Sequence, residues 1–161
     1  MSQVKILTIK WQRLLSDGQT CPRCGSTEAE VEKAVAALTP ALAPLGVAVV
    51  LEKNALSAEA FRRDPLQSNM IWLNGHLLEE WLEAQPGQSE GCDVCGPNDC
   101  RTVGVGGEIY EAIPAELIVR AGLLAAAAML GDVFFVGDDD HGHAFLVEGV
   151  EEHHLVDSVD E

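Results

Sequence analysis

Thr20-Cys21-Pro22-Arg23-Cys24-Gly25 places a C-x-x-C pair between two stretches of different character. Upstream, residues 4–11 are dense in β-branched and aromatic side chains, and downstream, residues 28–38 repeat apolar residues at helical spacing. The pair therefore sits where a strand hands over to a helix. Unsatisfied N–H groups at a helix start favour negative charge, and the thiolate is the reactive form of cysteine. Cys21 is accordingly expected to be the more acidic, attacking sulfur. Pro22 suits a first helical turn, having no N–H to satisfy, and Arg23 adds a fixed positive charge beside the thiols. Cys24 lies one turn on, within reach of a mixed disulfide formed at Cys21.

The 161 residues suit one domain with a true core and an appendage, and 47% hydrophobic content supports folding. A formal net charge of -16 argues against nucleic acid or an anionic membrane as partner, since phosphates would be repelled over most of the surface. No basic segment followed by an apolar run opens the chain, which predicts no signal peptide and a cytoplasmic address. The most apolar run, 121–130, is too short to span a bilayer and reads as a buried helix. The five cysteines fall in two groups, Cys21 and Cys24, then Cys92, Cys95 and Cys100. In a reducing compartment such grouping points to catalysis or metal rather than to structural disulfides.

In chain order, residues 4–11 read as the first strand, and the first helix starts within 21–28 and ends near Leu38, before Thr39-Pro40. The continuous apolar run 47–51 is expected as a central parallel strand buried on both faces. Ser57 reads as the N-cap of a short helix that Asp64-Pro65 ends. Residues 70–73 form a third strand, and Asn74-Gly75 is a hairpin signal that favours a return strand over 77–82, although Leu77, Leu78, Trp81 and Leu82 also recur at helical spacing. Residues 85–99 read as a loop carrying the second cysteine group, 102–105 and 108–112 as a hairpin about Gly106-Gly107, and 114–130 as the last helix. Beyond Arg120 there is no Lys or Arg; 132–136 and 144–148 can pair, and 151–161 is expected to be mobile. The division is a domain over 1–130 and an acidic extension over 131–161.

This order resembles the thioredoxin and glutaredoxin superfamily. More closely, residues 10 to about 124 resemble a bacterial and archaeal family of unknown function with a thioredoxin-like fold. The match is carried by Thr20-Cys21-Pro22-Arg23-Cys24, Leu51-Glu52, Asp64-Pro65, Ser68-Asn69, Ile71-Trp72, Asn74-Gly75, Cys92-x-x-Cys95, Cys100-Arg101-Thr102, Tyr110-Glu111 and Ile113-Pro114. The resemblance implies an α/β fold with a central mixed sheet flanked by helices and interrupted by a cysteine-rich loop. It also implies that Ser68-Asn69 stands where thioredoxins place a cis-proline facing the dithiol. That departure leaves Cys21 and Cys24 open to metal.

Two placements of the second group follow. If 77–82 pairs back, the loop emerges near Cys21 and five sulfurs converge; if 108–112 is the return strand, the groups act apart. Three chemistries compete. In the first, a thiol–disulfide oxidoreductase, Cys21 attacks, Cys24 resolves and Cys92, Cys95 and Cys100 supply a second redox pair, with Pro22, Arg23, Ser68 and Asn69 in support and no cofactor. The partner is a protein or small-molecule disulfide or thiol. In the second, Cys21, Cys24, Cys92 and Cys95 hold zinc or another soft metal or metalloid (copper, mercury or arsenic) as four thiolates, with Cys100 spare. In the third the loop thiols are structural, with His76 or Asp99 as a further ligand of zinc. Under the redox reading Cys21→Ser abolishes disulfide reduction and Cys24→Ser traps a mixed disulfide. Trp11, Trp72, Trp81 and Tyr110 read as core, Glu52 as a proton acceptor or a solvent-facing carboxylate, and Arg101 as a neighbour of the Cys100 thiol or of a carboxylate. His141, His143, His153 and His154 belong to the solvated acidic tail, which as an alternative docks a basic partner.

Overall fold

Alternating burial carries the first strand past the apolar stretch that announces it. β1 runs over Lys5–Leu14 with Leu7, Ile9 and Trp11 wholly buried on one face, while Ile6 on the other stays exposed. The chain is known from a computed structural model that describes residues 4–131 and the strands at 133–137 and 144–148.

β1 pairs in parallel with β2, Val47–Leu56, from Lys5 opposite Val47 to Leu14 opposite Leu56. It pairs antiparallel with β3, Met70–Leu73, which turns at Asn74-Gly75 into β4, His76–Leu77. The sheet order is β2-β1-β3-β4, a mixed sheet. The central position expected for 47–51 is corrected here, because β2 is an edge strand with β1 as its neighbour and Val50 is exposed. A short apolar run reports burial on average, whereas pairing decides which strand is inside.

Helices pack against this sheet and close its core. α1 spans Pro22–Leu42, past the end expected near Leu38, with Pro40 held inside its last turn. Its buried stripe of Thr27, Val31, Ala34, Leu38 and Leu42 recurs at three and four residues, the spacing of one helix face. α2, Ala58–Arg63, is capped by Ser57, whose hydroxyl accepts from the Ala60 N–H at 3.1 Å. The return strand expected over 77–82 is also corrected. Only His76–Leu77 pairs back, and Leu78–Leu82 forms α3. Helical geometry buries Leu78, Trp81 and Leu82 together, and the Trp81 indole N–H donates to the Leu73 carbonyl at 3.1 Å. Leu77 N–H finds the Glu80 carboxylate at 2.7 Å, which closes the first turn.

Residues 85–99 contain more order than their composition signals. Gln85–Ser89 is β5, paired with β6, Cys100–Val105, which in turn pairs with β7, Glu108–Tyr110, across Gly106-Gly107. This three-stranded sheet is separate from the first, so 108–112 is not a return strand either. Pro86 is tolerated because β5 is an edge of that sheet. α4, Ala115–Leu130, follows Pro114, and its first N–H is met by Glu30 of α1 at 3.0 Å. Gly122 allows α4 to close on α1, since a Cβ there would lie 2.6 Å from the Leu38 side chain. Gly131, at φ +90, ends the helix. β8, Val133–Gly137, and β9, Ala144–Glu148, pair antiparallel. The hairpin turn expected about 138–142, His141 and His143, and residues 149–161 lie outside the described residues. Among the described residues no helix is long and apolar enough to cross a membrane.

Candidate thiol site

The carboxyl end of β1 delivers the chain to Cys21 through a tight turn bridged between Ser16 and Gln19. Cys21 is the N-cap of α1, in extended conformation, and its sulfur accepts the Cys24 N–H at 3.4 Å. A sulfur stands here where Ser or Asp would ordinarily cap, so the helix start stabilises a thiolate. Hydrogen bonding from the Cys24 thiol, helped by the Cys24 N–H and the Cys92 thiol, outweighs burial and lowers the Cys21 thiol to about 5. Cys24 moves the opposite way. Its proton is held by its hydrogen bond to Cys21, and burial and the Cys21 charge raise it further.

Ser68 and Asn69 arrive at this edge because Met70 pairs with Gln12 near the end of β1. The Ser68 hydroxyl accepts the Leu14 N–H at 3.0 Å and lies 3.6 Å from the Cys24 sulfur. Asn69 is left-handed, at φ 64, and its buried amide accepts from the Trp11 indole at 3.3 Å and donates to the Glu111 carbonyl at 3.2 Å. No cis peptide occurs among the described residues.

The second cysteine group folds over the first. The Cys92 carbonyl accepts the N–H groups of both Cys95 and Gly96 at 3.0 Å, so the C-x-x-C segment closes as a tight turn. Gly91 lets that turn pack on the Asn98 backbone, where a Cβ would meet the carbonyl oxygen at 2.0 Å. The Cys92 and Cys95 sulfurs are 3.7 Å apart, and Cys100, opening β6, places its sulfur 3.4 Å from that of Cys95. The sulfurs of Cys21, Cys92 and Cys95 all lie within 4.8 Å of one another. All five cysteines are free thiols. Burial, then the hydrogen bond and charge of Cys100, push the Cys95 thiol up. Cys21, Cys24, Cys95 and Cys100 are buried and Cys92 is half-buried, so Cys92 is the sulfur nearest solvent. Convergence thus occurs without the return strand on which it was expected to depend.

Two arginines hold the loop there. Arg23 donates to the Ser89 hydroxyl at 2.8 Å and the Glu90 carbonyl at 3.2 Å, and pairs with Glu111 at 3.1 Å. Arg101 is buried and donates through Nε and Nη2 to Glu79 of α3, at 3.1 and 2.6 Å, and through Nη1 to the Leu66 carbonyl at 3.4 Å. Of the two roles expected for Arg101, the carboxylate is the one it fills. Ser89, Glu79 and Glu111 as partners have no signal in spacing, since each meets its arginine only through tertiary packing. His76 sits by Glu80, 3.4 Å away, and neither it nor Asp99 joins the sulfur group. Glu52 is exposed on β2, Trp11 and Trp81 are core, and Trp72 is half-buried beneath Lys10 Nζ at 4.6 Å. A cleft of about 220 Å³ lined by Leu14, Phe61, Arg62, Val94 and Cys95 opens beside the loop.

A family described as a domain of unknown function, DUF2703, matches residues 7–122. An uncharacterized protein of Archaeoglobus fulgidus is 48% identical over 112 residues, covering 70% of this chain and 82% of that relative. No solved structure matches.

Proposed function

We propose that this chain, which belongs to the DUF2703 family, is a thiol–disulfide oxidoreductase with a thioredoxin-like core. The observation that carries the reading is the Cys21 sulfur at the N-cap of α1, where it accepts the Cys24 N–H at 3.4 Å, an arrangement that lowers the Cys21 thiol while Cys24 is raised. One sulfur is ready to attack at neutral pH while its neighbour keeps a proton until a disulfide forms beside it. The thioredoxin-like reading is supported by the β1–α1–β2 parallel unit, the β3–β4 hairpin, the order β2-β1-β3-β4 and the dithiol at the start of α1.

Because Cys21 is covered and Cys92 is half-buried, the loop pair acts as the relay to solvent. An external disulfide accepts two electrons from Cys92 and Cys95, leaving as two thiols while a Cys92–Cys95 disulfide forms. The Cys21 thiolate attacks the Cys92 sulfur, breaking that bond, and the Cys95 sulfur leaves and takes a proton. Cys24 then loses its proton and attacks Cys21, which releases Cys92 as a thiol and closes Cys21–Cys24. The same exchanges run backwards when an external dithiol is the donor.

The test is a single turnover in which the reduced full chain meets excess disulfide. The parent delivers four electrons, Cys21→Ser stops after the two held by Cys92 and Cys95, and Cys24→Ser stalls with a Cys21–Cys92 cross-link found by peptide mapping. Full activity in either variant would overturn the assignment.

A further inference from the structure

The triangle of Cys21, Cys92 and Cys95 differs from the four-thiolate site that two C-x-x-C pairs suggest. Cys24 meets Cys21 and lies 3.6 Å from the Ser68 hydroxyl, and Cys100 touches Cys95, but neither belongs to the group whose sulfurs all lie within 4.8 Å of one another. Of the four expected ligands, Cys24 alone has therefore changed its part. A tetrahedral zinc needs four donors with sulfurs about 3.8 Å apart, given a Zn–S bond of about 2.3 Å. Three sulfurs drawn from two chain segments are the donor set of an ion that is satisfied by three.

Charge narrows the choice. Three thiolates leave zinc with one net negative charge and monovalent copper with two, whereas they neutralise a trivalent centre. Two of the three sulfurs are buried and the chain carries a formal charge of -16, so an anionic complex here would be costly to enclose. Arg23, the cation of the motif, is already engaged by Glu111, Ser89 and the Glu90 carbonyl. A trivalent metalloid with a lone pair fits on each count. It takes three soft sulfurs in a pyramid, asks for no fourth ligand and adds no charge.

We infer that Cys21, Cys92 and Cys95 form a three-thiolate site for a trivalent metalloid hydroxide of the arsenite or antimonite class. Three metalloid–oxygen bonds break and three metalloid–sulfur bonds form. Two hydroxyl groups leave as water with the Cys92 and Cys95 thiol protons, and the third, displaced by the Cys21 thiolate, leaves as water with a proton from solvent. The metalloid stays trivalent and no sulfur is oxidised, so no co-reactant is needed.

The reduced, metal-free full chain is titrated with sodium arsenite and, in parallel, with zinc, read by native mass spectrometry and X-ray absorption. One arsenic per chain with three As–S bonds is expected, and arsenite is captured in the presence of equimolar zinc. Cys92→Ser and Cys95→Ser each weaken capture roughly hundredfold, the loss of a third tethered ligand. Cys24→Ser keeps it. The urea midpoint of each variant is compared with the parent's, and Cys92, being half-buried, is the position where serine disturbs packing least. Two As–S bonds, capture lost in Cys24→Ser, or zinc outcompeting arsenite would overturn the inference. It does not rest on the oxidoreductase reading, because Cys24→Ser stalls electron transfer at the Cys21–Cys92 cross-link and spares capture by the reduced chain, so the two fail separately.

Discussion

Arg23 donates to the Ser89 hydroxyl at 2.8 Å, and Ser89 in turn donates to the Glu111 carboxylate at 2.9 Å, which also pairs with Arg23. The second of the two residues between the cysteines of the first motif thereby ties the end of β5 and the exit of β7 to the start of α1. Its charge acts less on the thiols than on the position of the loop above them.

Replacing Arg23 by Ala is expected to loosen the loop and slow oxidative cross-linking of Cys21 to Cys92 while leaving α1 formed. The group is part-exposed, so the stability cost is about 1–2 kcal/mol. Urea unfolding measures the stability, and peptide mapping after mild oxidation measures the cross-link. Unchanged cross-linking would remove Arg23 from this role.

Gly91→Ala tests the same closure from the other side. Its Cβ would meet the Asn98 carbonyl oxygen at 2.0 Å, and backbone cannot swing aside as a flexible side chain does. The variant should displace the Cys92–Cys95 turn and lower relay activity, while the Cys21 thiol keeps its reactivity toward iodoacetamide. A parent-like rate of disulfide reduction would contradict this.

The acidity of Cys21 sets a pH dependence. Its thiol is lowered from 9.0 to about 5, so it contributes stability fully above pH 9, progressively less as pH falls, and none below about 5. Cys24 is raised, so it opposes folding only above its unfolded value of 9.0. Reduced protein should therefore lose stability relative to Cys21→Ser as pH is lowered from 8.5 to 5. Urea midpoints of both proteins under reducing conditions check it, and a pH-independent difference would refute it. The alkylation rate of Cys21 should likewise stay flat above pH 6 and fall near 5.

Arg101 and Glu79 form a buried ion pair, with side chains 8% and 7% exposed. Arg101→Met leaves the Glu79 carboxylate buried without its partner and is expected to cost about 3–5 kcal/mol. Adding Glu79→Leu removes the orphaned charge and should recover most of that loss. A double-mutant cycle in urea tests it, and a double variant whose loss equals the sum of the two single losses would show that the pair carries no coupling.

What the sequence by itself determined is local. The β-branched run before Thr20, the apolar stripe from Val31 to Leu38, the Ser57 cap, the Asn74-Gly75 turn and the Gly106-Gly107 turn each write their element into a few neighbouring residues. The acidity expected of a thiol at a helix start is of the same kind, since its largest cause, Cys24, lies within one turn, with Cys92 adding to it only through the tertiary fold. Tertiary structure decided what pairing and burial decide. The run 47–51 looks central yet lies at an edge, because hydropathy reports average burial and hydrogen-bond partners lie elsewhere in the chain. The segment 77–82 carries both a turn signal and a helical period, and burying Leu78, Trp81 and Leu82 on one side settled it as helix. Spacing showed two cysteine groups, but their meeting depends on Arg23 reaching Ser89 and Glu111 and on Arg101 reaching Glu79. Those contacts join residues far apart in the chain, and no local pattern encodes which donor will find which acceptor.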